Sequence, residues 1–148
     1  MRISVKGRYA LAAVIKMAAN YNNGEYVTLI SISENLGISK IYLEQVFALL
    51  KRGGIVNSIK GAQGGYQLTR MPQQIAVLDV LSSVELSLVE PTETTVQIKA
   101  PEIEAAMQSA AFDKLDTAVK DTLSQVSIND LLTAVEKHRT ENELMFYI

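Results

Sequence analysis

Hydrophobic positions recur every three or four residues through most of this 148-residue chain, and the breaks in that rhythm divide it into elements. The stretch over 6–21 is broadly apolar, which predicts a largely buried first helix halted by Asn22-Asn23-Gly24. Thr28 offers an N-cap for a short second helix to about residue 35, with Leu29, Ile32 and Leu36 on one side. Gly37 makes a turn, Ser39 caps a third helix reaching Arg52, and Gly53-Gly54 ends it. The runs Ile55-Val56-Asn57-Ser58-Ile59 and Tyr66-Gln67-Leu68-Thr69 alternate as strands. Gly61, Gly64 and Gly65 between them are expected to supply the positive φ angles of a tight hairpin.

After Pro72 a further short helix is predicted over 75–84. The segment 85–100, rich in Thr, Val and Glu and fenced by Pro91 and Pro101, is predicted irregular or edge-like. Pro101 suits a first helical position, and Glu102 and Glu104 favour the positive end of the long helix expected to about residue 126. Its apolar residues Ile103, Met107, Ala111, Leu115, Val119, Leu123 and Val126 form one stripe. A last helix over about 128–139 leads into an eight-residue tail, 141–148.

The pair formed by Gly37 and the helix after it reads as a helix-turn-helix. At about 100° per residue, Leu43, Val46, Phe47 and Leu50 share one face while Ile41, Gln45, Ala48 and Arg52 share the other, with Glu44 at the flank. An outward Gln can bond an adenine edge, Glu can accept from a cytosine amino group, and Ala48 permits close entry into a groove. Ser39, Lys40 and Tyr42 at the helix start suit phosphates or the first bases. The same pattern would also serve a plain amphipathic surface helix. The hairpin tip adds Lys60, the glycine amides of Gly61 and Gly64, and Gln63, a set able to lie along a phosphate backbone. A nucleotide-binding phosphate loop is a weaker reading, because the glycines lead into a strand pattern rather than a helix.

Charge strengthens the first reading. Residues 1–72 carry nine Lys/Arg against three Asp/Glu, whereas the rest carries five against thirteen, within an overall net charge of −2. The chain has no cysteine, which removes disulfides and thiolate chemistry and suits a reducing cytoplasm. No apolar run approaches the ~20 residues of a membrane span. Arg2, Lys6 and Arg8 before an apolar stretch superficially suggest a leader peptide, but Lys16 cuts that stretch short, and it reads as an amphipathic helix of the mature protein. No paired carboxylates, activated nucleophile or metal-ligand cluster accompanies the glycines, so an enzyme is not expected and no cofactor is assigned.

Four motifs in this order, Met1-Arg2-Ile3-Ser4-Val5-Lys6-Gly7-Arg8-Tyr9-Ala10, Ser39-x-x-Tyr42-Leu43-Glu44-Gln45, Gly54-Ile55-Val56 and Gly61-x-x-Gly64-Gly65-Tyr66-x-Leu68, resemble the Rrf-two (Rrf2) family of bacterial winged-helix regulators. The resemblance spans 1 to about 84. It implies a mainly α fold with a small β-hairpin wing: a winged helix-turn-helix DNA-binding domain over 1–84, linker and dimerisation helices over 85–140, and a tail over 141–148. It also implies a homodimer on a pseudo-palindromic double-stranded operator, usually as a repressor. By the same resemblance Arg2, Lys6, Arg8, Ser39, Tyr42, Glu44, Gln45 and Lys60 become candidate DNA contacts, and the stripe from Ile103 to Val126 the dimer seam. A winged-helix module that has lost DNA binding and acts through protein contacts is the alternative.

Cluster-binding members of that family place three cysteines in the part corresponding to about 85–107, and this chain has none, with His138 its sole histidine. Cluster irons need several thiolate or imidazole ligands, so sensing without an iron–sulfur cluster is expected. The ending Glu143-Leu144-Met145-Phe146-Tyr147-Ile148 is unusually apolar for a chain end. One explanation is that it folds back onto the dimer. The other comes from resemblance to the cluster-free branch that represses cysteine metabolism. Members of that branch act with the PLP enzyme O-acetylserine sulfhydrylase (cysteine synthase), whose cleft accepts peptides ending in Ile. Phe146, Tyr147 and Ile148 would then be the partner-binding residues.

Overall fold

The structure is a computed structural model and describes residues 3–21, 24, 26–61, 64–88, 90 and 93–147. Helix α1 (Val5–Ala19) begins at Ser4, whose Oγ accepts the Gly7 amide at 3.1 Å. Helix α2 (Leu29–Leu36) begins at Thr28, which accepts from the Ser31 amide at 3.1 Å, and α3 (Lys40–Arg52) at Ser39, which accepts from Tyr42 at 3.2 Å. Each hydroxyl satisfies one of the amides left unpaired at a helix start, a contribution of about 1 kcal/mol. Between α2 and α3, Gly37 takes a φ of 68°, a left-handed conformation that costs glycine nothing. The two helices of the turn motif are thus fixed by local chemistry at both of their facing ends.

Strands β1 (Val56–Ile59) and β2 (Gly65–Leu68) pair antiparallel, Val56 opposite Leu68 and Ile59 opposite Gly65. Val27 joins the edge of this hairpin by exchanging two backbone hydrogen bonds with Tyr66, each 2.8 Å. The entrance to α2 is therefore stitched to the wing. Of the three hairpin glycines expected to take positive φ, only Gly64 does so, at 62°. Gly65 is required for space instead, because a β-carbon there would lie 2.9 Å from Cβ of Tyr26. Gly61 meets neither constraint.

Helix α4 (Val77–Val84) follows a single 3-10 turn at Pro72–Gln74 and packs against α1 and α3. Val14 of α1, Ile32, Leu43, Val46, Phe47, Leu50, Ile55, Ile75, Val80 and Ile128 are all buried in one cluster. Full burial of such a side chain contributes about 1.5–3 kcal/mol, which sets the core well above any exposed ion pair here. Ile128 reaches this core because Val77 donates to Val126 and Ile128 donates to Ile75, both at 2.8 Å.

The long helix is present but not uniform. It runs as α5 (Pro101–Met107), a π-turn (Gln108–Phe112) and α6 (Asp113–Ser124), ending two residues before the expected limit of Val126. The π-turn has a physical counterpart in the stripe. A spacing of four overshoots a 3.6-residue turn by about 40°, so from Ile103 to Val119 an uninterrupted α-helix would rotate the apolar line by about 160°. The additional residue accommodated by a π-turn takes out roughly 100° of that rotation.

Helix α7 (Ile128–Phe146) starts at Ser127, which accepts from Asp130 at 3.0 Å while the Asp130 carboxylate accepts from Ser127 at 2.9 Å. It continues to Phe146, beyond the limit of about 139 read from the pattern. The residues 140–146 contain no glycine or proline, and Glu, Leu and Met are strong helix formers, so nothing there stops it. Most of what was expected to be a separate tail is the end of α7. Among the described residues no helix is long and apolar enough to cross a membrane.

Candidate nucleic-acid interface

Helix α3 separates its faces as its sequence requires. Leu43, Val46, Phe47 and Leu50 are buried, while Ile41, Glu44, Gln45, Ala48, Lys51 and Arg52 are exposed. Beside the buried face, two aromatic contacts hold the helix, one in its first turn and one near its middle. Tyr42 meets Tyr9 of α1 edge to face with ring centroids 5.3 Å apart, and Phe47 meets Tyr66 of the wing at 4.8 Å. Tyr42 is accordingly half-buried.

The wing and the start of α3 adjoin. Thr28, Leu29 and Ile30 at the start of α2, Lys40 at the start of α3, and Ser58, Ile59, Gly64, Gly65 and Tyr66 of the hairpin line one open groove of about 170 Å³. Lys40 lies 3.9 Å from Glu44 on the next turn, both side chains more than half exposed. Such a pair contributes at most about 0.5 kcal/mol, so Lys40 is easily redirected to a phosphate. Ser39 is exposed, but its hydroxyl already caps α3. Lys60 and Gly61 are exposed at the hairpin, and Gly64 is half-exposed beside them.

Two basic residues of the positive half are engaged internally. Lys51 Nζ donates to Ser58 Oγ at 2.6 Å, bracing β1 against α3. Arg70 donates to the Asp79 carboxylate at 3.2 Å and to the Gln74 carbonyl at 3.0 Å, tying the end of the hairpin to α4. On α1, Arg8 is exposed and Lys6 half-exposed. The start of that helix is anchored by Glu85, whose carboxylate accepts from both the amide and the hydroxyl of Ser4. The sequence pattern gave no sign of this contact, since its partners are 81 residues apart. Arg2, Gln63 and Ile148 lie outside the described residues.

Ile103 of α5, Ala111 of the π-turn and Leu115 of α6 are exposed, whereas Met107, Val119, Leu123 and Val126 are half-buried. Glu104 accepts hydrogen bonds from the amides of Val96 at 2.8 Å and Thr95 at 3.1 Å and from the Thr95 hydroxyl at 3.1 Å, clamping the loop before α5. These bonds, the one from Val96 foremost, hold its carboxyl below the usual range. At the end of α7, Leu144, Met145, Phe146 and Tyr147 are exposed, the last two at 91% and 89%.

Residues 3–134 match the Rrf2 family, described as iron-dependent transcriptional regulators. The chain is 38% identical over 132 residues to the HTH-type transcriptional regulator ORF2 of Azotobacter vinelandii, covering 89% of this chain and 79% of that one. It is 47% identical over 88 residues to the HTH-type transcriptional regulator IscR of Cronobacter sakazakii, covering 60% of this chain and 54% of that relative. Among solved structures it is similar to IscR of T. potens, with a TM-score of 0.71, 30% identity and coverage of 93% and 90%. It is also similar to CymR, the global cysteine regulator of B. subtilis, with a TM-score of 0.72, 30% identity and coverage of 90% and 98%.

The family description implies iron, and the donor set can be tested against it. The chain has no cysteine, and its one histidine, His138, is exposed and lies 3.6 Å from Glu141. Among the described residues no three His, Cys, Asp or Glu side chains gather as a metal site. These residues do not fit a cysteine-held iron–sulfur cluster.

Proposed function

The chain belongs to the Rrf2 family of DNA-binding transcriptional regulators, and on that premise we propose that it acts as a homodimeric repressor whose two α3 helices and two wings grip a pseudo-palindromic operator. The observation that carries this reading is the exposed polar face of α3, with Gln45 on it, on a helix whose first residue, Lys40, lines one groove with the wing. Gln45 is assigned to an adenine edge and Glu44 to a cytosine amino group. Ser39, Lys40, Tyr42, Arg52, Lys60, Gly61 and Gly64, with Lys6 and Arg8 of α1, are assigned to the backbone, where all set register and the Lys and Arg contribute salt-dependent affinity. Arg2 and Gln63 are assigned there on sequence alone.

The seam of the dimer is assigned to Ile103, Met107, Ala111, Leu115, Val119, Leu123 and Val126. Supporting it is the exposure of Ile103 and Leu115, at 54% and 59%, on a helix whose π-turn keeps the stripe in line. We assign the chain to the cytoplasm and infer that it works without an iron–sulfur cluster, the second supported by the absence of cysteine and the single histidine.

The finer reading concerns cysteine metabolism, with cysteine synthase as co-regulator. It is supported by the likeness to the B. subtilis global cysteine regulator and by the exposed Phe146 and Tyr147 before Ile148. A terminal carboxylate beside an aliphatic side chain suits a cleft of backbone amides and apolar wall.

Footprinting on the organism's own upstream regions tests the DNA reading. Gln45→Ala is expected to cost about 1–3 kcal/mol and to relax preference at one base pair. Equal loss on operator and random DNA would remove Gln45 from base reading. For the partner, pull-down with and without Ile148 decides, and undiminished capture of the sulfhydrylase after deletion would refute the tail assignment.

A further inference from the structure

Ile41 is 72% exposed, a large β-branched side chain at the second position of α3. It belongs neither to the buried cluster nor to the apolar residues packed against it. Helix propensity does not favour it either, since isoleucine is a poorer helix former than Lys, Glu or Gln on a surface. Single exposed apolar residues are common on proteins, so exposure alone would say little. Position is what distinguishes this one. Ile41 shares its face with Gln45 one turn on and Ala48 two turns on, all three exposed, and follows Lys40, which lines the groove against the wing.

The first turn of a reading helix is the part that meets base edges. In the major groove the one apolar feature offered by any base pair is the C5-methyl of thymine. Ile41 has no hydrogen-bonding group, so its contribution to selectivity there can only be shape and burial. Small Ala48 on the same face lets the helix come close enough for a branched side chain to touch that methyl.

We infer that Ile41 is a specificity-determining residue that reads a thymine C5-methyl in each operator half-site, an inference that rests on the DNA-reading assignment of α3. Gln45 then selects by hydrogen bonds and Ile41, one turn earlier, by an apolar contact, which gives each half-site two chemically different tests.

The experiment begins with selection of the operator from random duplexes by the full-length protein. Each thymine is then replaced singly by 2′-deoxyuridine, which removes the methyl and nothing else. Loss of one buried methyl should weaken wild-type binding about fourfold at one thymine per half-site. With Ile41→Ala that penalty should vanish at the same thymine, while Ile41→Val should retain most of it. Because Ile41 is exposed, both variants should melt with the wild type, which a thermal scan checks. A deoxyuridine penalty unchanged in Ile41→Ala, or no penalty in the wild type at any thymine, overturns the inference while leaving the enriched operator intact. Selection that enriches no sequence overturns the DNA reading and this inference with it.

Discussion

The contact between Phe47 and Tyr66 is the aromatic one between α3 and the wing, and a double-mutant cycle measures it. Phe47 is fully buried, so Phe47→Ala removes a whole ring from the core and leaves a cavity that its neighbours only partly fill. A change of that kind costs about 3–5 kcal/mol, of which the ring pair itself is worth roughly 0.5–1.5 kcal/mol beyond area burial. For a chain of this size the melting temperature should fall by about 6–20 °C. Tyr66 is half-buried, with its ring 4.8 Å from that of Phe47. Tyr66→Ala should therefore destabilise by about 0.5–1.5 kcal/mol less in the Phe47→Ala background than in the wild type. Urea titrations at one fixed protein concentration supply the four free energies, since the proposed dimer would make stability depend on concentration. Additivity within about 0.3 kcal/mol would refute the idea that these rings lock the wing to the reading helix.

Lys60→Ala should weaken operator and random DNA alike and reduce the salt slope by about one unit, as read by titration across ionic strengths. Glu104 has a carboxyl held below its ordinary 4.5, so the clamp on Thr95 and Val96 should be complete above that value and fail as pH falls through the lower folded value. Protection of the Val96 amide in hydrogen exchange reports this, and Glu104→Gln should show the loss already at neutral pH. Glu85→Ala should free the start of α1, raising exchange at the Ser4 amide while lowering stability by no more than about 1 kcal/mol, or roughly 2–4 °C in melting temperature, since the contact is exposed. Deleting Ala110 should convert the π-turn to regular α-helix while leaving α5 and α6 in phase; sedimentation should find the same assembly, and dissociation would refute the phase argument.

How far the fold could be read in advance depended on whether its cause was local. Thr28, Gly37 and Ser39 act on neighbours within four residues, and the caps they form are where the pattern put them. The outward placement of Gln45 follows from helical phase alone. Long-range chemistry was not legible in this way. Ser4 and Glu85 carry no mark of one another, and the partnership of Arg70 with Asp79 turns a residue counted among the positive surface into a brace between hairpin and α4. Spatial crowding was equally silent: Gly65 was expected to need positive φ, but it needs the absence of a β-carbon beside Tyr26.

The long helix shows why even a legible pattern can be read too simply. A stripe at intervals of four looks continuous when written out, yet four is not a helical period, and without an adjustment Ile103 and Val119 would point almost oppositely. The regularity at 4.0 was itself the sign of a π-turn, because a helix containing one extra residue per bulge brings such positions back toward one side. The same logic governs α7, where the apolar ending was expected to be a tail separate from the last helix although Glu, Leu and Met continue a helix and nothing interrupts them. Helicity through Phe146 changes the chemistry of the proposed partner contact. A partner cleft that takes an extended C-terminal peptide must unwind the last turn of α7, whereas one that takes a helix end need not. Replacing Thr140 and Asn142 by alanine raises helix propensity there and leaves Phe146, Tyr147 and Ile148 in place. Weaker capture of the sulfhydrylase by that variant would indicate an extended bound tail, and stronger capture a helical one.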